Sequence, residues 1–204
     1  MKKAVILFVA ILLFPAFGSS QIIENLDYIS PFNEGVSAIK KNNQWAFINN
    51  DGDIVVNFRD DLVTTKSDDG NYPIFKKGRC LIVNIKEGIS YFGYINISGE
   101  TVIEPRFLNA TNFNNNGAIA LEFTKEEIGK NTALGKSIVN YRYFEVVIDT
   151  DGKVKNYLNP KGVNVVLDKK FLREPPKFMS KQISENLVAI KNENGKWSLK
   201  KIIE

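Results

Sequence analysis

The chain of 204 residues has 27 basic and 23 acidic side chains, and 44% of its residues are hydrophobic, which is ordinary for one globular domain. It has no histidine and a single cysteine, Cys80, so histidine-based triads, histidine- or cysteine-based metal sites and intramolecular disulfides are excluded. We therefore expect a protein without catalytic residues, metal ions or cofactors.

The first twenty residues have the layout of a secretory signal peptide. Two lysines follow Met1, an apolar run covers residues 4–14, and small residues that include Gly18 and Ser20 come next. A membrane-spanning helix needs about 20 apolar residues, which is longer than this run. We predict cleavage between Ser20 and Gln21, export to the periplasm or the cell exterior, and no membrane span after cleavage.

The predicted mature chain, residues 21–204, is expected to form one domain with a nearly balanced charge. Removal of the two N-terminal lysines leaves 25 basic and 23 acidic side chains, a net charge of +2. Proteins that bind nucleic acids carry strongly basic patches, so no nucleic-acid partner is expected.

A degenerate repeat runs through the mature chain. The segments 32–40 and 183–191 are identical at four of nine positions, and each leads through a polar turn to a tryptophan, Trp45 or Trp197. Two weaker copies lie between them, and the third contains an insertion over about residues 124–141. About four repeats are predicted, with openings near residues 32, 75, 113 and 183.

Each copy has the pattern of three β-strands. Short runs rich in Val, Ile, Phe and Tyr are separated by turns at Asp51-Gly52, Ser98-Gly99, Asp151-Gly152 and Asn194-Gly195. We expect positive φ at both central residues of these turns, as in two-residue hairpin turns. Apolar residues on both strand faces predict an all-β fold, in which repeated three-stranded units stack into a solenoid-like or partly closed domain. The segment 164–173 is equally compatible with a short helix and with a strand.

The best copy has an aromatic-Gly-aromatic step followed by a strand that ends in proline. Its sequence, Phe92-Gly93-Tyr94-Ile95 and then Val102-Ile103-Glu104-Pro105, resembles the WG repeats of bacterial proteins. Ala46 replaces the family's glycine after Trp45, and the copy at Trp197 departs further. The resemblance covers residues 22–123 well and 143–204 loosely. It implies a β-rich interaction module, often exported, with no assigned chemistry.

Two pairs of acidic residues, Asp51/Asp53 and Asp149/Asp151, are the candidates for calcium or acid–base chemistry. An EF-hand loop also needs a ligand at its first position and a glutamate six residues after its glycine. The first position is Phe47 in one segment and Val147 in the other, and the last position of the second segment is Leu158, so both fail. Aspartate is common beside glycine in turns, so a structural role in the turns is expected.

Two further motifs have simple structural interpretations. Ser37 and Lys40 match the Ser-x-x-Lys pattern of penicillin-recognising enzymes, but a spacing of three places them on opposite faces of the predicted strand. Cys80 lies in an apolar strand, where a buried and unreactive thiol is expected.

The candidate ligand-binding residues are aromatic or basic. Aromatic residues at repeat spacing, Trp45, Phe92, Tyr94 and Trp197, either pack as a ladder in the core, which we favour, or form a stripe on which a ligand stacks. A basic patch in the long connector before the last repeat includes Lys169, Lys170 and Arg173, and is either a solvated face or a contact for an anionic envelope polymer.

These patterns together predict a non-enzymatic, exported binding module. The expected partner is a protein or an envelope polysaccharide, and the segments 60–72 and 124–141 are the expected contact loops. Two alternatives remain open at this point: a carboxylate-dependent hydrolase of the envelope, and a purely structural spacer.

Overall fold

The structure, a computed structural model, describes residues 23–131, 135–184 and 186–202. Its sixteen strands are antiparallel and the described residues contain no helix, which confirms the predicted all-β class. Accordingly, this part of the chain has no helix long and apolar enough to cross a membrane. The predicted signal peptide and its cleavage site lie outside the described residues.

The strands form four main sheets, named sheets 1 to 4 in chain order. Sheet 1 has the order β1-β2-β3-β4 and consists of β1 (Tyr28–Ile29), β2 (Ser37–Lys41), β3 (Gln44–Ile48) and β4 (Ile54–Arg59). A small hairpin of β5 (Thr65–Ser67) and β6 (Gly70–Tyr72) follows. Sheet 2 has the order β7-β8-β9 and consists of β7 (Cys80–Lys86), β8 (Ile89–Ile95) and β9 (Thr101–Phe107).

The second half of the chain forms the other two sheets. Sheet 3 consists of β10 (Ala118–Asn131), β11 (Lys136–Ile148), β12 (Val154–Tyr157) and β13 (Val163–Val165), and β11 pairs with the other three strands. Sheet 4 has the order β14-β15-β16 and consists of β14 (Ser180–Ser184), β15 (Leu187–Lys191) and β16 (Trp197–Lys201).

The structure changes the prediction for two segments. The expected contact loop at 124–141 is not a loop, because β10 and β11 continue through it as a hairpin arm with a bulge between Glu127 and Gly129. The segment 164–173 contains no helix: its first residues belong to β13, which pairs with β11, and a turn at Asp168 follows. The β-branched residues Val163 and Val165 favour the strand.

The glycine turns recur, but in a different form from the one predicted. Gly52, Gly99, Gly152 and Gly195 all have positive φ, whereas the residues before them do not. An Asn or Asp three residues before each glycine accepts a hydrogen bond from the glycine N–H through its backbone oxygen. Its side-chain oxygen also accepts backbone N–H groups two or four residues further on. The turn is therefore a type I turn followed by a left-handed glycine, capped by the Asx side chain.

Turns with two consecutive positive φ values occur elsewhere, where the sequence did not predict them. Asn42-Asn43 joins β2 to β3, and Glu87-Gly88 joins β7 to β8. The other two, Glu34-Gly35 and Lys77-Gly78, are the opening turns that precede β2 and β7. Glutamate and lysine seldom adopt positive φ, so composition alone does not indicate these positions.

Successive sheets share hydrophobic cores. The first core joins sheets 1 and 2 and includes Phe47 and Ile82, and the second joins sheets 2 and 3 and includes Tyr94 and Val146. A third core joins sheet 3 to sheet 4 through Val147 and Val188 among others. Neighbouring strand residues point to opposite faces, so an inner sheet contributes to the core on each of its sides.

The same contact joins sheet 2 to sheet 1 and sheet 3 to sheet 2. A side chain of the preceding sheet, Val56 in one case and Ile103 in the other, lies against the glycine of the next sheet's turn. An arginine then donates a hydrogen bond to the oxygen of that glycine: Arg59 Nη1 to Gly99 at 3.1 Å, and Arg106 Nη2 to Gly152 at 2.6 Å.

Candidate functional site

Three of the four candidate aromatic residues lie in the core. Trp45 is only 7% exposed, its ring meets Tyr28 edge-on at a centroid distance of 5.7 Å, and Lys40 Nζ lies 5.5 Å from its centroid. Phe92 and Tyr94 are buried in the core between sheets 2 and 3, and Tyr94 Oη donates a 2.6 Å hydrogen bond to the backbone oxygen of Thr111. Burial in the core explains why these positions are aromatic.

Trp197 has a different environment. Its side chain is 51% exposed, on the face of sheet 4 away from the core, and Leu199 beside it is 66% exposed. Lys181 Nζ and Lys191 Nζ lie 4.9 Å and 5.7 Å from the centre of the Trp197 ring. The core ladder predicted for the four aromatic residues is therefore wrong for Trp197, because no other sheet covers its face. Trp45 and Trp197 also do not form one exposed stripe.

The basic residues of the connector are exposed. Lys169, Lys170 and Arg173 lie between β13 and β14, and Leu172 anchors the segment in a small core. Lys170 N donates a 2.7 Å hydrogen bond to Asp168 Oδ1, which shapes the turn. Lys169 packs against Gly88, in the turn between β7 and β8.

The residues considered for nucleophilic chemistry have structural partners. Cys80 is fully buried, and burial raises the pKa of its thiol to about 12. Ser37 is also fully buried and donates a 2.6 Å hydrogen bond to the backbone oxygen of Ser30. Lys40 follows three positions later on the same strand, so its side chain lies on the opposite face.

The paired aspartates belong to the Asx-capped turns. Asp149 Oδ1 accepts hydrogen bonds from the backbone N–H groups of Asp151 at 3.0 Å and Lys153 at 2.8 Å. In the ranges that the structure describes, no three or more Asp, Glu or Cys side chains are grouped so that they could hold a metal ion.

The opening segments of all four sheets meet at one surface, here called the opening cleft. It has a volume of about 640 Å³. Its exposed lining residues come from the opening turns of sheets 1, 2 and 3 and from β14 of sheet 4: Glu34, Lys76, Lys77, Asn114, Asn115, Ile183 and Ser184. Most of these side chains are charged or polar, which differs from the apolar lining of a typical small-molecule pocket.

Hydrogen bonds between sheets hold the opening cleft in shape. The Glu34 carboxylate accepts the backbone N–H groups of Lys77 at 2.7 Å and Gly78 at 2.9 Å, which cross-links the opening turns of sheets 1 and 2. Asn114 Nδ2 donates a 2.6 Å hydrogen bond to Gln182 Oε1 and joins sheet 3 to sheet 4 in the same way. The side chains of Lys76 and Lys77 extend from this frame into solvent.

A second concave surface, here called the aromatic groove, lies where the hairpin arm leaves the body of the protein. It has a volume of about 400 Å³ and is lined by half-buried Tyr91 of β8, Phe123 of β10 and Tyr141 of β11. The Phe123 ring centre is 5.9 Å from that of Tyr91 and 6.4 Å from that of Tyr141, so the rings form a row. The sequence did not indicate this row, because its members come from three strands with no common spacing.

Charged side chains surround the aromatic groove. Lys86, Glu87 and Arg106 line its edge, and Lys169 packs against Gly88, which adjoins Glu87. Among the described residues, the one ion pair joins Arg59 and Asp61, so these cations have no carboxylate partner there. Burial raises the pKa of Tyr91, and Glu87 and Tyr141 raise that pKa further.

Comparison with known proteins agrees with the resemblance seen in the sequence. The family model described as "WG containing repeat" matches residues 21–45 and 92–122, about a quarter of the chain. No curated protein and no solved structure matches the chain. The first matched segment ends at Trp45 and the second begins at Phe92. These two aromatic residues start the predicted aromatic-Gly step of their repeats. The predicted resemblance is thus confirmed: two segments of the chain match the WG-repeat family model.

Proposed function

We propose that this chain is an exported, non-enzymatic interaction module whose opening cleft binds a segment of a partner protein. The observation that carries this proposal is the meeting of four opening segments, one from each sheet, around a single cleft. Repeat proteins commonly build their binding surfaces from the equivalent turns of successive repeats. The polar, open lining suits an exposed chain segment of a larger partner better than an apolar small molecule.

We further infer that sheets 1 to 4 stack as a short solenoid-like domain. Two findings support this arrangement: successive sheets share cores, and the turn contacts of Val56 with Gly99 and of Ile103 with Gly152 repeat. A stack of this kind places equivalent turns on the same side, and the opening cleft lies on such a side.

Export is proposed from the signal-peptide pattern of residues 1–20. Mass spectrometry of the protein recovered from the periplasm or the medium is expected to show a chain that begins at Gln21. A chain that retains its first twenty residues and fractionates with membranes would contradict export of a cleaved protein.

Site-specific photo-crosslinking tests the role of the opening cleft. The mature chain, with a photo-reactive residue at Lys77 or at Ser184, is expected to cross-link the same envelope protein from both positions, because both residues line the cleft. A photo-reactive residue at exposed Lys155 of β12, outside the cleft, is the matched control. The double substitution Lys76→Glu and Lys77→Glu should reduce capture at Ser184 at least fivefold.

Two results would overturn this proposal. If Lys155 captures the same protein as well as the cleft positions do, the interaction does not use the opening cleft. If no position captures a protein, the structural spacer becomes the better explanation.

The hydrolase alternative requires two carboxylates that face one cavity. Glu145 and Glu193 line a cavity of about 420 Å³ beside sheet 4. Buried Glu145 is fully engaged, because its oxygens accept Ser180 Oγ at 2.6 Å, Ser180 N at 3.0 Å and Met179 N at 3.2 Å. These hydrogen bonds attach the start of β14 to sheet 3, which gives the carboxylate a structural role, so the binding module is the function that we favour.

A further inference from the structure

We propose that the aromatic groove is a second binding site, separate from the opening cleft, and that it takes an acidic oligosaccharide. Sugars present apolar C–H faces and hydroxyl edges, and the uronic acids add a carboxylate to each unit. The groove offers a complement to each of these features: aromatic faces, tyrosine hydroxyls and unpaired cations. This site does not depend on the proposed protein partner.

The row of rings accounts for the packing of the sugar faces. An aromatic ring has a negative face, which attracts the polarised C–H groups of a sugar as it attracts cations. The ring centre of Phe123 is 5.9 Å from that of Tyr91 and 6.4 Å from that of Tyr141. These spacings are comparable with the length of one sugar unit. The planes of neighbouring rings are tilted by 46° and 56°, so a sugar chain that twists along the groove can contact successive rings.

The tyrosine hydroxyls account for hydrogen bonding to the ligand. Neither Tyr91 nor Tyr141 forms a side-chain hydrogen bond with another described residue, so both hydroxyls are available to donate and accept. A tyrosine hydroxyl is protonated at neutral pH and can donate, and burial with the neighbouring Glu87 raises the pKa of Tyr91 further.

The charges at the edge select an acidic sugar over a neutral one. Lys86 and Arg106 outnumber Glu87, and neither cation has a carboxylate partner among the described residues. Arg106 is also oriented, because its Nη2 donates to the backbone oxygen of Gly152 and its guanidinium lies 4.9 Å from the Phe107 ring centre. The remaining guanidinium N–H groups can bind a carboxylate in a fixed geometry.

Calorimetric titration of the mature chain with defined tetrasaccharides tests this inference. The acidic probes are oligogalacturonate, oligomannuronate and hyaluronan tetrasaccharides, and cellotetraose is the neutral probe. We expect at least one acidic probe to bind tenfold or more tightly than cellotetraose, and its affinity to fall with added salt. Tyr141→Ala and Lys86→Glu should each weaken this binding at least tenfold.

Two controls separate the groove from general effects on folding. Tyr157→Ala removes a tyrosine that is 46% exposed and packs on Phe144 outside the groove, so it should leave binding within twofold. Tyr141→Phe keeps the ring and removes only the hydroxyl, so it should weaken binding clearly less than Tyr141→Ala does. Thermal melts of all variants identify any loss of binding that is caused by unfolding.

Three outcomes would overturn the inference. The first is that none of the three acidic tetrasaccharides binds. The second is that cellotetraose binds equally well and Lys86→Glu has no effect. The third is that a proline-rich decapeptide, the other common ligand of aromatic grooves, binds in a Tyr141-dependent manner while the sugars do not. The double cleft substitution at Lys76 and Lys77 should leave sugar binding unchanged, so this test is independent of the proposed protein partner.

Discussion

Substitution of Trp45 by alanine is expected to destabilise the protein by about 3–5 kcal/mol, whereas Trp197→Ala should cost less than about 1 kcal/mol. Trp45 is 7% exposed within the core between sheets 1 and 2, and its removal leaves a cavity there. Trp197 is 51% exposed, and its main contacts are the two lysines near its ring. Exposed cation–π contacts of this kind contribute about 0.5–1 kcal/mol.

Urea unfolding of the two variants measures the difference directly. Both tryptophans occupy the same position of the repeat, and each lies beside a paired lysine, Lys40 or Lys191. They are therefore a matched pair that differs in burial. Equal losses of stability would mean that the outer face of sheet 4 is covered in solution, and near-neutral effects at both sites would contradict the placement of Trp45 in the core.

Substitution of Gly93 by alanine is expected to cost about 3 kcal/mol, although alanine is the smallest possible change. A Cβ atom at Gly93 would clash with the backbone oxygen of Ile103 and would lie 2.6 Å from the backbone nitrogen of Pro105. Both atoms belong to the backbone of β9, so the clash cannot be relieved by rotation of a side chain. The strand pair must separate or distort.

The residue of sheet 1 that is equivalent to Gly93 is Ala46, and the structure accommodates its methyl group. The difference lies in the opposite strand. Two residues, Asn57 and Phe58, lie opposite Ala46 between paired positions, whereas three residues, 104–106, lie opposite Gly93. The extra residue forms a wider bulge that closes over Gly93. A glycine in the WG step is therefore needed where the following strand carries the longer bulge with its proline.

Ala46→Gly is the matched control for Gly93→Ala. It should cost only about 1 kcal/mol, from the added freedom of the unfolded chain and the lost methyl group. Gly129→Ala is a second control, because nothing lies within 4 Å of the position that its Cβ would occupy. The melting temperature of Gly93→Ala should be well below those of both controls. A similar melting temperature for all three variants would contradict the bulge explanation.

Local features of the fold could be predicted from the sequence because they depend on neighbouring residues. The predicted turns at Gly52 and Gly99 are each followed by a strand, β4 from Ile54 and β9 from Thr101, and both glycines have positive φ. The predicted type of these turns is wrong. The turn type depends on an Asx cap three positions before the glycine, and not on the residue next to the glycine. Hydrogen bonds to the Asx side chain hold the residue before the glycine in the right-handed region of φ and ψ.

The two concave surfaces illustrate what the sequence did not indicate. The repeat shows that the opening segments are equivalent, but it does not show that they lie around one cleft. In the aromatic groove, Phe123 and Tyr141 lie at the edges of a segment interpreted as a loop, and Tyr91 precedes the conspicuous Phe92-Gly93 pair. A regular extension of β10 and β11 brings these rings together. No local spacing encodes that contact.

The β class, the repeat and the hairpins can be predicted from the sequence, because strand periodicity and turn chemistry act over a few residues. Which of the repeated aromatic residues is covered, and which surface is concave, depends on how the sheets pack on one another. Trp45 and Trp197 have the same local pattern, yet only Trp45 has another sheet packed on its face. Burial depends on the sheet that packs against a residue, and that sheet comes from a distant part of the chain.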